Sequence, residues 1–263
     1  MAKMQRSIIK VQGTIDGNTY VDSARYGYHM RKAIGPQENV SPAVKKENSR
    51  TAFINGVSAE IKNMFQKCSP LIFESDTYLH LNKLFRKEPL NSRFMFLQLL
   101  KNREVSSSYP LAKIDNSDFF AQLYDRLLIV HIKMKAMPEE GENKADCYFY
   151  EMNLMYWTTQ DAPGVIKRIR TYWKSINEKP RRFEFQFNFP ENATHWMLCQ
   201  RMVVGKNGAS LGIMTYEGMR VVAFDTFAEE EYAILLQRNQ ENGISNDPPE
   251  QTEEDIEYVD AVD

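Results

Sequence analysis

Cysteine is scarce in this chain: Cys68, Cys147 and Cys199 are the three thiols among 263 residues. An odd, widely spaced set argues against a disulfide framework and against a CxxC-type zinc site, so buried free thiols are expected. Histidine is nearly as rare, and His29, His80, His131 and His195 never fall at metal-ligand spacing to one another or to a cysteine. Each is therefore expected to be a structural or solvent-facing side chain rather than a ligand or a catalyst. Long apolar runs are missing as well. The longest, such as residues 127–132, are strand-sized and fall far short of the roughly 18 residues of a membrane span. The opening MAKMQRSIIK carries positive charge but no apolar segment of the kind a secretory signal needs. The expectation is a soluble, cytoplasmic chain with no membrane partner, release as part of a particle staying open.

Catalytic signatures are absent too. There is no G-x-S-x-G, no H-E-x-x-H, no phosphate-loop lysine motif and no dinucleotide fingerprint. Gly205-Lys206-Asn207-Gly208 has a superficial likeness to a phosphate loop, but the spacing is wrong and the segment joins two strand-like runs, so a hairpin turn is expected. Glu229-Glu230-Glu231 are adjacent acids, which do not face each other as a general acid and base would, and they read as a solvated run. No cofactor is expected.

What the chain does have is uneven charge and a distinctive opening. Residues 1–110 hold 17 Lys and Arg against 9 Asp and Glu, whereas residues 239–263 hold 9 acids and no Lys or Arg. The net charge of the whole is only −2, so the polarity speaks about partners rather than about fold. The opening carries strand-like apolar residues, Ile9, Val11, Ile15, Tyr20 and Val21, around an Asp16-Gly17-Asn18 hairpin signal. An aromatic-basic cluster follows: Arg25, Tyr26, Tyr28, Arg31 and Lys32. Its cations could neutralise phosphates while its tyrosines stack on bases. A half-buried strand explains the same pattern, since Tyr suits strands.

Ser41-Pro42 supplies an N-cap and a first helical position. Phe53, Val57, Ile61, Met64 and Phe65 then form one apolar stripe up to Ser69-Pro70. Residues 76–87 and 91–103 read as two shorter helices, and Ser106 to Pro110 as a domain junction. Beyond it the pattern becomes strand-like. Residues 127–137 and 147–158 are expected to pair as a hairpin. Phe183, Phe185, Phe187 and Phe189 alternate onto one face and are expected to enter the core. Residues 195–204 and 219–227 complete the set, with Asn207-Gly208 as the turn between them. Val165, Ile166, Ile169, Tyr172, Trp173 and Ile176 suggest a helix inserted among these strands. Residues 239–263, rich in acids and with Pro248-Pro249, should be disordered.

Several of these residues carry a resemblance. Lys10, Gly13-Thr14-Ile15 and Gly17, then Tyr26-Gly27-Tyr28 and Arg31, then Arg50-Thr51 and Asn55, resemble a group of uncharacterised proteins from Bacteroidetes genomes over residues 8–65. This chain has Ala33-Ile34-Gly35 where that group carries Gly-Gly. The resemblance implies helices followed by a strand-rich half, and it transfers no activity and no site residue.

The fold class expected is α+β: an N-terminal arm or hairpin and helices, then an antiparallel, β-sandwich-like half with one inserted helix. The parts are an arm (1–40), a basic helical region (41–105), a β-rich domain (111–238) and an acidic tail (239–263). The function expected is a non-enzymatic structural or interaction protein. It would dock through its arm on protein partners or on copies of itself, in a particle, filament or tail-like assembly. Nucleic-acid binding by residues 1–110, modulated by the acidic tail, is the alternative. Arg25, Tyr26, Tyr28, Arg31 and Lys32 are the contact candidates in either case. An enzyme of unrecognised type would place its cleft near residues 104–126, where Asp115, Asp118 and Asp125 lie.

Overall fold

The structure is a computed structural model, and it describes residues 13–15, 18–23, 27–32, 41–159, 162–241 and 257–259. The chain divides into two compact units, Met1–Thr51 and Ala52–Asp263. In the first, β1 (Gly13–Ile15), β2 (Asn18–Ser23) and β3 (Gly27–Lys32) form an antiparallel three-stranded sheet in that order. Its register sets Ile15 against Asn18, across the Asp16-Gly17 pair, and Ser23 against Gly27. Of the strand residues expected earlier, Ile9 and Val11 lie outside the described residues.

Helix α1 (Pro42–Cys68) crosses the division between the units. Ser41 caps it, its hydroxyl accepting from the Val44 N–H at 3.4 Å. Its first turns, residues 41–49, are exposed throughout. From Ile54 onward one face is buried, with Ile54, Val57, Ile61, Met64, Phe65 and Cys68 on it. The stripe therefore runs through Ile54, and Phe53 sits at its half-buried margin. Pro70, which has no N–H to donate, follows its end. Helices α2 (Thr77–Phe85) and α3 (Arg93–Gln98) come next. Ser92 caps α3 by accepting from the Met95 N–H.

The second unit is built on two sheets. One has β4 (Ser117–Tyr124), β5 (Leu127–Met134) and β9 (Arg182–Asn188) side by side, with β13 (Glu257–Val259) parallel to β9 at the edge. The other centres on β6 (Cys147–Trp157) and β10 (His195–Lys206), flanked by β7 (Val165–Arg170) and β12 (Glu217–Thr226). Two short strands, β8 (Lys174–Ser175) and β11 (Ala209–Ser210), extend it. All eleven residues of β6 are buried, because this strand has a core on each side. Tyr148, Tyr150, Met152, Leu154 and Tyr156 join Phe183, Phe185 and Phe187 of β9 in the cluster between the sheets. Met155 and Trp157 join α1, α2 and α3 in a second cluster. The layers are thus sheet, sheet and helices, an α+β architecture with a sandwich at its centre.

Several expectations are corrected by this arrangement. Residues 165–176 contain no helix. They form β7 and β8, and Ile166 packs toward the helices while Ile169 packs between the sheets. Apolar residues at i, i+1 and i+4 fit a helix stripe, but they equally serve both faces of an edge strand, and β-branched Val165, Ile166 and Ile169 favour the latter. Residues 127–137 and 147–158 do not form a hairpin with each other. β5 pairs with β4 and β9, β6 pairs with β10 and β7, and the intervening segment carries the chain from one sheet to the other. Strand β4, not anticipated, supplies Phe119, Ala121 and Leu123 to the margin of the core. The segment 106–110 lies inside the second unit. Just before it, Val105 donates its N–H to the Met219 carbonyl and Asn102 to that of Val221, tying the segment between helices and sandwich to β12. In the stretch 239–263, expected to be disordered, residues 239–241 close α4 (Glu229–Glu241) and Glu257–Val259 form β13. The other positions of that stretch lie outside the described residues.

The Asn207-Gly208 turn follows expectation. Both residues take positive φ, 54° and 72°, as a tight two-residue hairpin turn requires, and the chain returns along β10 as β11 before β12 begins. All three cysteines are buried free thiols.

Candidate functional site

The contact candidates of the arm separate on inspection. Arg25 and Tyr26 lie outside the described residues. Tyr28, Arg31 and Lys32 are in β3, opposite Asp22, Thr19 and Asn18 of β2. Among the described residues β3 pairs only with β2, and β1 likewise. The sheet therefore has two edges, each a row of backbone donors and acceptors suited to another strand. No residue of this sheet whose burial is described is fully buried: Asn18, Thr19, Tyr20, Val21, His29 and Met30 are all half-exposed. A small sheet needs a covered hydrophobic face to be stable in water. Lys45 and Lys46 add two cations on the exposed first turns of α1.

The second unit contains four polar clusters that could be mistaken for reactive sites. The first includes one of the three aspartates named above. Asp115 is largely buried, and it accepts from the Tyr150 hydroxyl at 2.5 Å, the Ser117 hydroxyl at 2.7 Å and the Gln200 amide at 2.5 Å. Burial pushes its carboxyl above the usual aspartate range, against those hydrogen bonds, which pull it down. Asp118 is exposed and pairs with Lys135 at 2.6 Å. Asp125 takes a positive φ of 51° in the turn after β4. Six strand residues, 119–124, lie between Asp118 and Asp125, a span of about 20 Å. The three aspartates are not brought together, and Asp115 spends its acceptors inside the sandwich.

The second cluster ties the central sheet to the end of α1. Arg201 of β10 donates to Glu151 of β6 at 3.0 Å and to Glu217 of β12 at 3.1 Å. Glu217 also accepts from the Ser69 hydroxyl, and Glu151 from the Asn153 amide at 3.1 Å. The thiol of Cys68 lies within the field of this group. Burial raises its pKa to about 11, so it stays a thiol and lacks the thiolate a nucleophile needs.

In the third cluster Glu60 of α1 accepts from the Trp157 indole N–H at 2.8 Å, from the Gly164 N–H at 2.6 Å and from the Arg93 guanidinium at 3.1 Å. Arg93 also donates to the Thr159 carbonyl at 3.1 Å and lies over the Trp157 ring. This fastens α1 and α3 to the segment between β6 and β7.

The fourth cluster corrects the reading of Glu229-Glu230-Glu231 as solvated throughout. Glu231 is half-buried, and its carboxylate meets His195 Nε2 at 2.5 Å and accepts from the Ser92 hydroxyl at 2.7 Å. His195 Nδ1 sits 2.8 Å from the Thr194 hydroxyl. Burial acts to raise the Glu231 carboxyl, but the bonds from His195 and Ser92 outweigh it and hold the group below the ordinary glutamate range. The imidazole stands between a hydroxyl and a carboxylate, but the Thr194 hydroxyl donates its proton to the Trp157 carbonyl at 3.1 Å, so the cluster sets no base against a nucleophile. It docks the first turn of α4 on β10 and on the start of α3. Three acids in that first turn also suit the positive end of the helix dipole. Sequence signals for this latch were thin, since Ser92, His195 and Glu231 stand far apart along the chain.

No helix among the described residues is long and apolar enough to cross a membrane. No family model, no curated protein and no solved structure matches this chain.

Proposed function

We propose that this chain is a non-enzymatic interaction protein, a subunit that docks through its N-terminal arm onto neighbours in a homo- or hetero-assembly. The observation that carries the reading is the small sheet of the first unit: β3 and β1 are open edges among the described residues, and none of its residues of described burial is fully buried. A strand from a neighbour would extend the ladder, and the neighbour's surface would cover the half-exposed Tyr20, Val21, His29 and Met30. The polar clusters of the second unit support the non-enzymatic part, because each spends its hydrogen bonds on joining secondary-structure elements.

The test is size-exclusion chromatography with light scattering on the full chain, with the 260/280 nm absorbance ratio read alongside. The expected result is a mass several times 30.7 kDa with a protein-like ratio, returning to one chain when residues 1–40 are deleted. A bare monomer in which the amides of residues 27–32 are strongly protected from hydrogen exchange would sink the reading, because its edge would already be covered.

Nucleic-acid binding is the second reading. It is favoured by the exposed Lys45 and Lys46 on α1 together with the excess of Lys and Arg in residues 1–110. It requires an affinity that falls steeply with salt and a slope that drops by about 1 for each phosphate-contacting cation removed, for example in Arg31→Ala or Lys32→Ala. An absorbance ratio that stays protein-like at low salt, with no salt-sensitive binding of single- or double-stranded DNA, counts against it.

A further inference from the structure

We propose that Glu74, Asp76 and His80 form a binding site for a divalent transition-metal ion of the zinc class, at the start of α2. One ligand atom from each of the three lies within 4.8 Å of the others. The Nε2 of His80 is 3.4 Å from Asp76 Oδ2. Two ligands that each stand about 2.1 Å from an ion at the tetrahedral angle are about 3.4 Å apart. The pair is thus already at coordination spacing.

The local chain geometry produces this arrangement. Asp76 occupies the N-cap position of α2, where an aspartate ordinarily accepts from the helix's own first N–H groups. Here its carboxylate makes no such bond and instead faces His80, one helical turn on. Thr77 bonds back to the Glu74 carbonyl through its hydroxyl at 2.7 Å and its N–H at 3.2 Å, a turn that brings Glu74 back beside the helix start. The Glu74 carboxylate is held from behind, through Oε1, by the Ser106 hydroxyl at 2.5 Å and the Ser108 N–H at 3.1 Å. Outer partners of this kind orient a ligating carboxylate. Asp76 and His80 are exposed, at 52% and 66%, so solvent can fill the remaining coordination positions. Glu74 and His80 also line a cavity of about 200 Å³, together with apolar Phe65, Leu81 and Leu100.

One imidazole and two carboxylates suit zinc, cobalt or nickel better than magnesium or calcium, which want more oxygen ligands. An ion here would bridge α2 to the segment 104–108 through Glu74, and so would brace the junction between helices and sandwich.

The test is a cobalt titration of the full chain after chelator dialysis, followed by visible absorption, with zinc added to displace the cobalt. The expected result is one ion per chain, displaced by equimolar zinc. His80→Ala and Asp76→Asn should each weaken binding by about tenfold or more, since even outer-shell partners are worth 10–100-fold. Both side chains are exposed, so the variants keep the fold, which circular dichroism checks. His131→Ala, which removes the histidine that pairs with Glu184 at 3.7 Å, should leave binding unchanged. Absence of saturable binding at one ion per chain overturns the proposal, and so does binding that neither His80→Ala nor Asp76→Asn weakens.

Discussion

Replacing Arg201 by methionine tests the account of the central sheet most directly. The guanidinium lies between Glu151 and Glu217, with side chains 15%, 8% and 3% exposed. Burial works against the charge, and the two carboxylates more than restore it, so Arg201 is held above its ordinary pKa. Methionine preserves the apolar stem but leaves two buried carboxylates facing each other without a cation. Breaking a buried ion pair by removing one partner costs about 3–5 kcal/mol. Guanidinium unfolding at pH 7.5 should show that loss as a fall in midpoint at an unchanged slope. Glu217→Gln, made in the same background, removes one of the stranded charges while still accepting from the Ser69 hydroxyl. The double variant should therefore be more stable than the sum of the two single losses by about 1–3 kcal/mol. A loss of under about 1 kcal/mol for Arg201→Met, or strict additivity of the pair, would refute the claim that these groups act as one buried unit.

Four further outcomes are expected. Glu231→Gln should destabilise the chain at neutral pH, and the deficit should close in acid. Its folded pKa is depressed, so its contribution is present above the unfolded glutamate pKa and is lost as pH falls through the folded one; thermal melts at several pH values check this. Asp115→Asn should change stability in the opposite pH sense: burial raises that carboxyl, so its contribution is present at low pH and lost as pH rises through the folded pKa, and the wild-type advantage over the variant should shrink toward neutral pH. Gly218→Ala should cost about 1–3 kcal/mol, because a Cβ there would stand 2.5 Å from Leu111 Cα. Gly208→Ala has open space around it and pays only for its φ of 72°, about 1–2 kcal/mol; urea unfolding separates the two cases.

Local chemistry made some elements legible. The Ser41 cap, the apolar stripe of α1 and the Ser69-Pro70 stop are short-range signals, and α1 spans Pro42–Cys68 as they require. Asn207-Gly208 is a turn because those residues tolerate positive φ, and the four alternating phenylalanines of residues 183–189 are buried because a period of two sets them on one face. Sheet membership was not legible. Whether β5 pairs with β6 depends on which surfaces close over which, and β6 is buried along its whole length because helices cover its second face. Residues 165–170 carry a pattern that serves a helix stripe or a two-faced edge strand, and pairing with β6 chose the strand.

The polar groups divide along the same line. Composition and spacing alone told that the cysteines are unpaired and that the basic excess sits in the first 110 residues, since these depend only on counts and positions along the chain. That Glu231 meets His195, that Arg201 lies between two acids, and that Asp76 turns from its own helix toward His80 depended on the fold. Burial and distance between residues remote in the chain set those contacts, and they arise only when sheets and helices pack.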